Sequence, residues 1–368
     1  MRTLEEILKT DLDYICRKAD FELGEMAGSG LAFTGAAGFI GYYFCQVIKH
    51  WNDHNPGNEI RLLAMDNFMR GVPSWLEALQ SDFIKLQKHD VIQSLPDAIG
   101  DFQYIVHAAS IASPPVYRTY PVETIDANVM GIRHILEHAT ETDVKSILFF
   151  STSEIYGDPP PEEIPTNEDF RGLVSCTGPR ACYDESKRLG ETLCVVFARY
   201  RDVPVKIARP FNNYGPGLKI TDGRVLPDFA QCALKHSDIV MLSDGTPTRT
   251  FCYIADAVVG YLKILIRGRN GEPYNIGIDS EETSMRELAE MVARNARELW
   301  DYSGQVIFGK SEDDDYLTDN PNRRCPDVTK ARTELDYAPE ITVDAGVRRA
   351  LEWYYHNQEA PPEPGPQQ

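Results

Sequence analysis

The chain has no apolar stretch that approaches the ~20 residues a membrane-spanning helix needs. Residues 1–27 carry too much charge for a signal peptide, so a soluble, cytoplasmic protein without a membrane partner is expected. Basic residues are also scarce. Against 56 Asp and Glu stand 37 Lys and Arg, a formal charge of -19, and that field repels DNA, RNA and anionic lipid. No nucleic-acid partner is expected, and an anionic ligand would need arginines gathered locally. The eight cysteines, Cys16, Cys45, Cys176, Cys182, Cys194, Cys232, Cys252 and Cys325, include no C-x-x-C pair, and no histidine cluster accompanies them. They read as reduced thiols, and no metal site is expected. Internal repeats are missing too. With 368 residues the chain is too long for an isolated small module and can bury a sizeable core.

What is present is periodic. Leu4, Ile7, Leu8, Leu12 and Ile15 fall at helical spacing, which predicts an amphipathic N-terminal helical extension within residues 1–27 that serves packing or an oligomer surface. From Gly30 to Ala208, short apolar runs at 31–34, 61–65, 104–107, 146–151 and 205–208 alternate with longer helical patterns. That alternation predicts βαβ units and a parallel sheet, hence an α/β protein. Past Pro210 the texture changes to Pro- and Gly-punctuated loops, with helices near 226–235 and 284–300. The second of these opens on Ser284-Met-Arg-Glu287, a capping-box pattern. Residues 312–315, Glu-Asp-Asp-Asp, read as a solvated loop, and the Pro-rich tail 359–368 as disordered.

Three segments carry chemistry. Gly35, Gly38 and Gly41 lie between the strand candidate 31–34 and a helical pattern at 39–48. Only glycine lets a strand turn sharply into a helix while backbone amides approach a pyrophosphate on the positive end of the helix dipole. Asp66 ends the next strand candidate, where an acid accepts hydrogen bonds from an adenosine ribose and opposes a 2′-phosphate, favouring NAD over NADP. The plainer alternative is an Asp that opens a turn before Asn67. Tyr183 and Lys187, four apart, share a helix face, so the ammonium can stand near the phenol and lower its pKa toward a useful base. The segment 149–157, Phe-Phe-Ser-Thr-Ser-Glu-Ile-Tyr-Gly, runs off an apolar strand and sets Thr152, Ser153 and Glu154 in the crevice where such sheets bind ligands. The expected architecture is a Rossmann-type doubly wound parallel sheet with a smaller C-terminal substrate lobe. The NAD-binding part would span 28–210, with the lobe at 211–358 interleaved with the last strands.

Over roughly residues 30–355 the chain resembles the extended short-chain dehydrogenase/reductases, specifically the NAD-dependent epimerase/dehydratase enzymes of nucleotide sugars, and within them the UDP-glucuronate decarboxylase group. The resemblance rests on 65–68 (Met-Asp-Asn-Phe), 89–91 (His-Asp-Val), 112–114 (Ala-Ser-Pro), 151–158, 178–188, 222–225 (Asp-Gly-Arg-Val) and 248–251 (Thr-Arg-Thr-Phe). It implies Thr152, Tyr183 and Lys187 as proton-handling residues and Glu154 as a carboxylate beside the sugar. Around NAD it implies Gly35, Gly38, Phe39, Ile40, Gly41, Asp66, Asn67, Asp90, Val91, Ala108 and Lys187. For the nucleotide-diphosphate sugar it implies Ser113, Ser153, Asn212, Arg249 and Arg324, with the last three where the family holds the diphosphate. It also implies a homodimer through a four-helix seam.

Three departures bear on substrate identity: the extra leader, Gly217 where the decarboxylases have arginine after Tyr-Gly-Pro, and Asn213 in place of threonine. The implied chemistry is oxidation at C4, after which a C6 carboxylate leaves as carbon dioxide. A 4,6-dehydratase of the family carries an Asp-Glu pair after threonine, and Ser153 holds the acid's place here. A 4-epimerase needs no carboxylate at Glu154. Epimerase, dehydratase and a non-catalytic NAD-binding protein are the alternatives.

Overall fold

The computed structural model describes residues 1–96, 99, 102–280, 282–309 and 321–357; the acidic segment 312–315 and the tail 359–368 lie outside them. Two leader helices come first, α1 (Leu4–Lys18) and α2 (Asp20–Met26). The first half then runs β1 (Gly30–Thr34), α3 (Phe39–His54), β2 (Arg61–Asp66), α4 (Ser74–Glu77), β3 (Ile84–Lys88), β4 (Tyr104–His107), α5 (Pro114–Thr119), α6 (Pro121–Ala139), β5 (Ser146–Phe150), α7 (Ala181–Arg201) and β6 (Val205–Pro210). The second half adds β7 (Asn213–Tyr214), α8 (Val225–Leu234), β8 (Ile239–Met241), β9 (Thr248–Arg249), β10 (Cys252–Tyr253), α9 (Ile254–Arg267), β11 (Pro273–Ile276), β12 (Thr283–Ser284), α10 (Met285–Trp300), β13 (Val306–Phe308), β14 (Arg323–Arg324), α11 (Thr329–Leu335) and α12 (Val343–His356).

Seven strands form one parallel sheet in the order β3-β2-β1-β4-β5-β6-β11. Helices cover both faces of such a sheet, so its inner strands must be apolar on both sides; β1, β4 and β5 are buried at every residue. Chain order reverses at β1, which pairs with β2 on one side and β4 on the other, Leu31 facing Leu62 and Tyr104. The crevice this opens beyond the strands' carboxyl ends is where a ligand fits.

The sheet extends past the strands that apolar runs announce, by β3 and β11 at its two edges. Strand β3, Ile-Lys-Leu-Gln-Lys, is buried only at Ile84 and so shows no apolar run, and β11 begins with Pro273, which an edge strand tolerates.

The leader is two helices rather than one, divided at Ala19. Thr3 and Glu6 close a capping box at its start. Ile7, Leu12, Ile15, Leu23 and Met26 are buried, and the leader packs on α3, α9 and α12. Asp11, fully buried among them, accepts hydrogen bonds from Tyr43 (2.7 Å), Tyr253 (2.6 Å) and Arg349 (2.7 Å). One carboxylate thus joins α1, α3, β10 and α12, and a buried charge is tolerable only with such partners.

In the second half, α8 and α10 pack on each other and on β8. Ser284 caps α10 in the capping box its sequence announces. Among the described residues no helix is long and apolar enough to cross a membrane.

Candidate active site

The chain leaves β1 through Gly35, whose φ of +81° is a left-handed conformation that glycine adopts freely. A Cβ there would stand 2.7 Å from the Ala109 nitrogen, and one on Gly41 would stand 2.4 Å from the Ala36 oxygen. Gly38 is the N-cap of α3 and offers no side chain to its first amides. Those amides therefore remain for an anion, at the positive end of a 16-residue helix.

Asp66, at the end of β2, accepts from the amides of Phe68 (2.9 Å) and Ala37 (3.1 Å). It closes the turn and also stands against the glycine loop. Burial raises its carboxyl, and the amides of Phe68, Ala37 and Asn67 oppose that rise. Asn67 and Asp90 shape their own loops, accepting from Met69 (3.1 Å) and Ile92 (3.2 Å), and the Ala108 amide donates to Thr34 at the end of β1 (3.1 Å).

Residues 151–156 leave β5 in a short 3-10 turn, Ser153–Tyr156, capped by Thr152, whose Oγ1 accepts from the Glu154 amide at 3.2 Å. Helix α7 brings Tyr183 and Lys187 to the same place. Lys187 Nζ is 6.0 Å from the Tyr183 ring centre and donates to the Phe150 carbonyl at 2.8 Å. Burial pulls the Lys187 ammonium down to about 7, and burial also pushes the Tyr183 phenol up to about 12, opposed by a hydrogen bond with Thr152. The Tyr117 ring of α5 stacks on Tyr183, 5.2 Å between centres and 7° from parallel.

Glu154 is the electrostatic centre. Arg324 grips it with both terminal nitrogens, at 2.5 and 2.6 Å, and Arg180 hydrogen-bonds one of the same oxygens. Burial raises the Glu154 carboxyl, but the charges of Arg324 and Arg180 outweigh it and hold the group down at about 2. Arg249 donates to the carbonyls of Thr248, Asn322 and Pro321. Asn212 donates to the Thr250 carbonyl, and Ser113 to the Asp222 carbonyl at 2.8 Å, which ties the first half of the chain to the second across the crevice.

Every residue singled out from sequence lines one cavity of about 1230 Å³: the three glycines with Phe39 and Ile40, Asp66, Asn67, Asp90, Val91, Ala108, Ser113, Thr152, Ser153, Glu154, Tyr183, Lys187, Asn212, Arg249 and Arg324. Tyr117 and Arg180 line it as well and were not assigned from sequence. Arg180 stands within the quoted stretch 178–188, three residues before Tyr183, but a lone arginine ahead of a helix gives no sign of its partner. In the cavity Arg324 is an ion-pair partner of Glu154.

Gly217 has φ +87°, and a Cβ there would meet the Tyr42 ring at 2.6 Å. Tyr42, wedged beside Trp75 and Trp353, fills the room into which a longer residue at 217 would start. Asn213 accepts a hydrogen bond from buried Tyr261.

The comparison with known proteins agrees with this geometry. Residues 32–277 match the NAD dependent epimerase/dehydratase family. The chain belongs to that family.

Relatives named UDP-glucuronic acid decarboxylase 1 include one from a plant and one from a frog. The one from Arabidopsis thaliana is 36% identical over 87% of this chain and 68% of its own length. The one from Xenopus tropicalis is 32% identical over 90% of this chain and 73% of its own. Among solved structures, the dTDP-glucose 4,6-dehydratase DesIV of Streptomyces venezuelae, determined with NAD bound, superposes with a TM-score of 0.75 at 23% identity, covering 89% of this chain and 98% of that one. It shares the fold. Family membership makes NAD the cofactor, and the chain fits it: two glycines that no other residue can replace without collision, uncapped helix amides and a carboxylate at the end of β2.

Proposed function

We propose that the protein decarboxylates UDP-glucuronate to UDP-xylose by transient oxidation at C4. The observation that carries this reading is Glu154 held between Arg324 and Arg180, with Ser153 beside it. Arg180, Arg324 and Arg249 stand against Glu154 and Asp184, which leaves net positive charge on that wall and suits a sugar acid. A serine cannot readily protonate a departing 6-hydroxyl, so the wall is poorly suited to dehydration. The relatives named UDP-glucuronic acid decarboxylase, at 32–36% identity, support the same choice.

Gly35, Gly38 and Gly41 with the first amides of α3 would hold the NAD pyrophosphate, Asp66 and Asn67 the adenosine ribose, and Asp90, Val91 and Ala108 the rest of that wall. Bound there, NAD supplies a reversible two-electron acceptor for C4 and is unchanged at the end. Tyr183 takes the proton of the sugar 4-hydroxyl as C4 is oxidised, Thr152 orients the same oxygen, and protonated Lys187 stabilises the phenolate. The resulting 4-ketone makes the sugar a β-keto acid. Its C5–C6 bond breaks, carbon dioxide leaves, and the electron pair moves onto the C4 oxygen, where Tyr183 stabilises it. A proton from solvent then closes C5, C4 is reduced again as Tyr183 returns its proton to the C4 oxygen, and one proton is consumed per turnover. Ser113, Asn212 and Arg249 would bind the diphosphate half and Ser153 the sugar, while Arg324 acts through Glu154.

The protein is proposed to work as a homodimer, because α6 and α7, packed together, leave Val122, Ile125, Met130, Leu189, Val196 and Tyr200 exposed. A cytoplasmic location is proposed from the eight unpaired cysteines. The test of function is mass spectrometry of purified protein mixed with UDP-glucuronate, UDP-glucose and their dTDP counterparts. Loss of carbon dioxide from UDP-glucuronate is expected; loss of water, or an epimer without mass change, would replace this reading with dehydration or epimerisation.

A further inference from the structure

Asp184 follows Tyr183 in the first turn of α7 and is only 5% exposed. Its Oδ2 lies 3.5 Å from Arg180 Nε, while its Oδ1 has no hydrogen-bond partner among the described residues; neither does Arg180 Nε at full hydrogen-bond geometry. Both residues border a second, small pocket of about 50 Å³, lined also by Gly157, Asp158, Leu173, Val174 and Ser175. A space of that size with two unsatisfied polar groups on its wall suits ordered water. Arg180 also lines the large cavity, so its guanidinium is the partition between the two spaces. Its Nη2 reaches Glu154 and its Nε faces Asp184. A long arginine side chain has much rotamer freedom to lose, so a grip on Nη2 alone leaves the group free to pivot.

We propose that Asp184, with water in the pocket behind it, is a positioning residue that anchors Arg180 at Nε, so that Nη2 keeps Glu154 in the attitude the sugar meets. This rests on the reading that the large cavity takes a nucleotide sugar with Glu154 beside it. The charge balance makes the anchor responsive to pH. Facing Asp184 are Glu154 from the 3-10 turn, Arg324 from β14, Tyr117 from α5, Arg180 and Tyr183 of its own helix, and exposed Asp158 across the pocket. Burial, then the charge of Glu154, push the Asp184 carboxyl up to about 7, with Arg180 and Arg324 opposing. Ionised, it holds Arg180; protonated, it lets go.

The experiment measures kcat and KM for carbon dioxide release from UDP-glucuronate across neutral pH in the NAD-bound wild type, Asp184→Asn and Asp184→Glu. Melting temperature and released-NAD absorbance are measured alongside. Loss of the Lys187 proton lowers kcat over the same range in every variant, so Asp184 is read from ratios: wild-type kcat over that of Asp184→Asn should rise with pH through about 7, an acid limb that reaches roughly tenfold to a hundredfold at high pH. KM, melting temperature and bound NAD of Asp184→Asn should be unchanged. Asp184→Glu should restore part of the limb. An Asp184→Asn enzyme that matches wild-type kcat at every pH, or loses kcat only together with its melting temperature, overturns the proposal. Carbon-13 titration of labelled carboxyls needs no turnover and separates the two readings. Asp184→Asn should abolish one transition near neutrality and shift the Glu154 resonance. A wild type that shows this titration yet releases no carbon dioxide contradicts the decarboxylase reading and leaves the positioning role standing; an unmoved Glu154 resonance removes the positioning role.

Discussion

Tyr183 and Lys187 gain their use from being buried together. A phenol held near 12 beside an ammonium brought down to about 7 holds its proton until a positive group and a substrate oxygen arrive. Replacing Tyr183 with Phe removes the base, and kcat for carbon dioxide release should fall by about 10²- to 10⁴-fold with bound NAD retained. A variant with near wild-type kcat would exclude Tyr183 as the proton acceptor.

Lys187 gives a second test, free of turnover. Its pKa is lower folded than the 10.5 of the open chain, so between about 7 and 10.5 the unfolded state binds more protons and stability rises with pH. Below about 7 the full cost of burying the charge is felt. Lys187→Met should therefore match or exceed wild-type stability in denaturant titrations at neutral pH, and its advantage should shrink toward pH 10. Gly41→Ala forces a methyl against the Ala36 carbonyl, and should cost about 1 to 3 kcal/mol of stability and release NAD.

The glycine helix α3 is supported from behind by the leader, and the support converges on Asp11. Asp11→Ala would leave Arg349 without its carboxylate and two buried phenols without an acceptor, a loss of about 3 kcal/mol in equilibrium unfolding. A change below 1 kcal/mol would reduce the leader to a surface ornament. Leader helicity is legible in the spacing of Leu4, Ile7, Leu8, Leu12 and Ile15, but Asp11 is not, because its place in the core depends on tyrosines and an arginine up to 338 residues away. The same divide recurs along the chain. Inner strands such as β1 and β5 announce themselves as apolar runs because both faces are covered; the edge strands β3 and β11 do not. The site divides likewise. Glycines before a helix and Tyr183 four residues from Lys187 are local patterns, readable in one dimension. The clamp on Glu154 joins residues 154, 180 and 324, and only the fold brings Arg180 and Arg324 to one carboxylate.

Across the molecule, the reversal of strand order opens a crevice, the α3 amides face one end of it, and the Ser113–Asp222 bond closes the second half over it. An acidic protein thus presents its positive charge inside, at Arg180, Arg249 and Arg324, where an anionic sugar nucleotide would be drawn in and nucleic acid would not. The outer face of α6 and α7 belongs to the same arrangement, since α7 carries Tyr183 and Lys187 on its buried side. Val196→Asp should convert a dimer to a monomer in light scattering; a wild type that is already monomeric would refute the proposed seam. The account as a whole stands on C4 oxidation followed by loss of the C6 carboxylate. Incubating the NAD-bound protein with UDP-[6-¹³C]glucuronate in deuterated water should give labelled carbon dioxide and UDP-xylose carrying one deuterium at C5. Deuterium-free product, or a nucleotide sugar that keeps its labelled carbon, would contradict it.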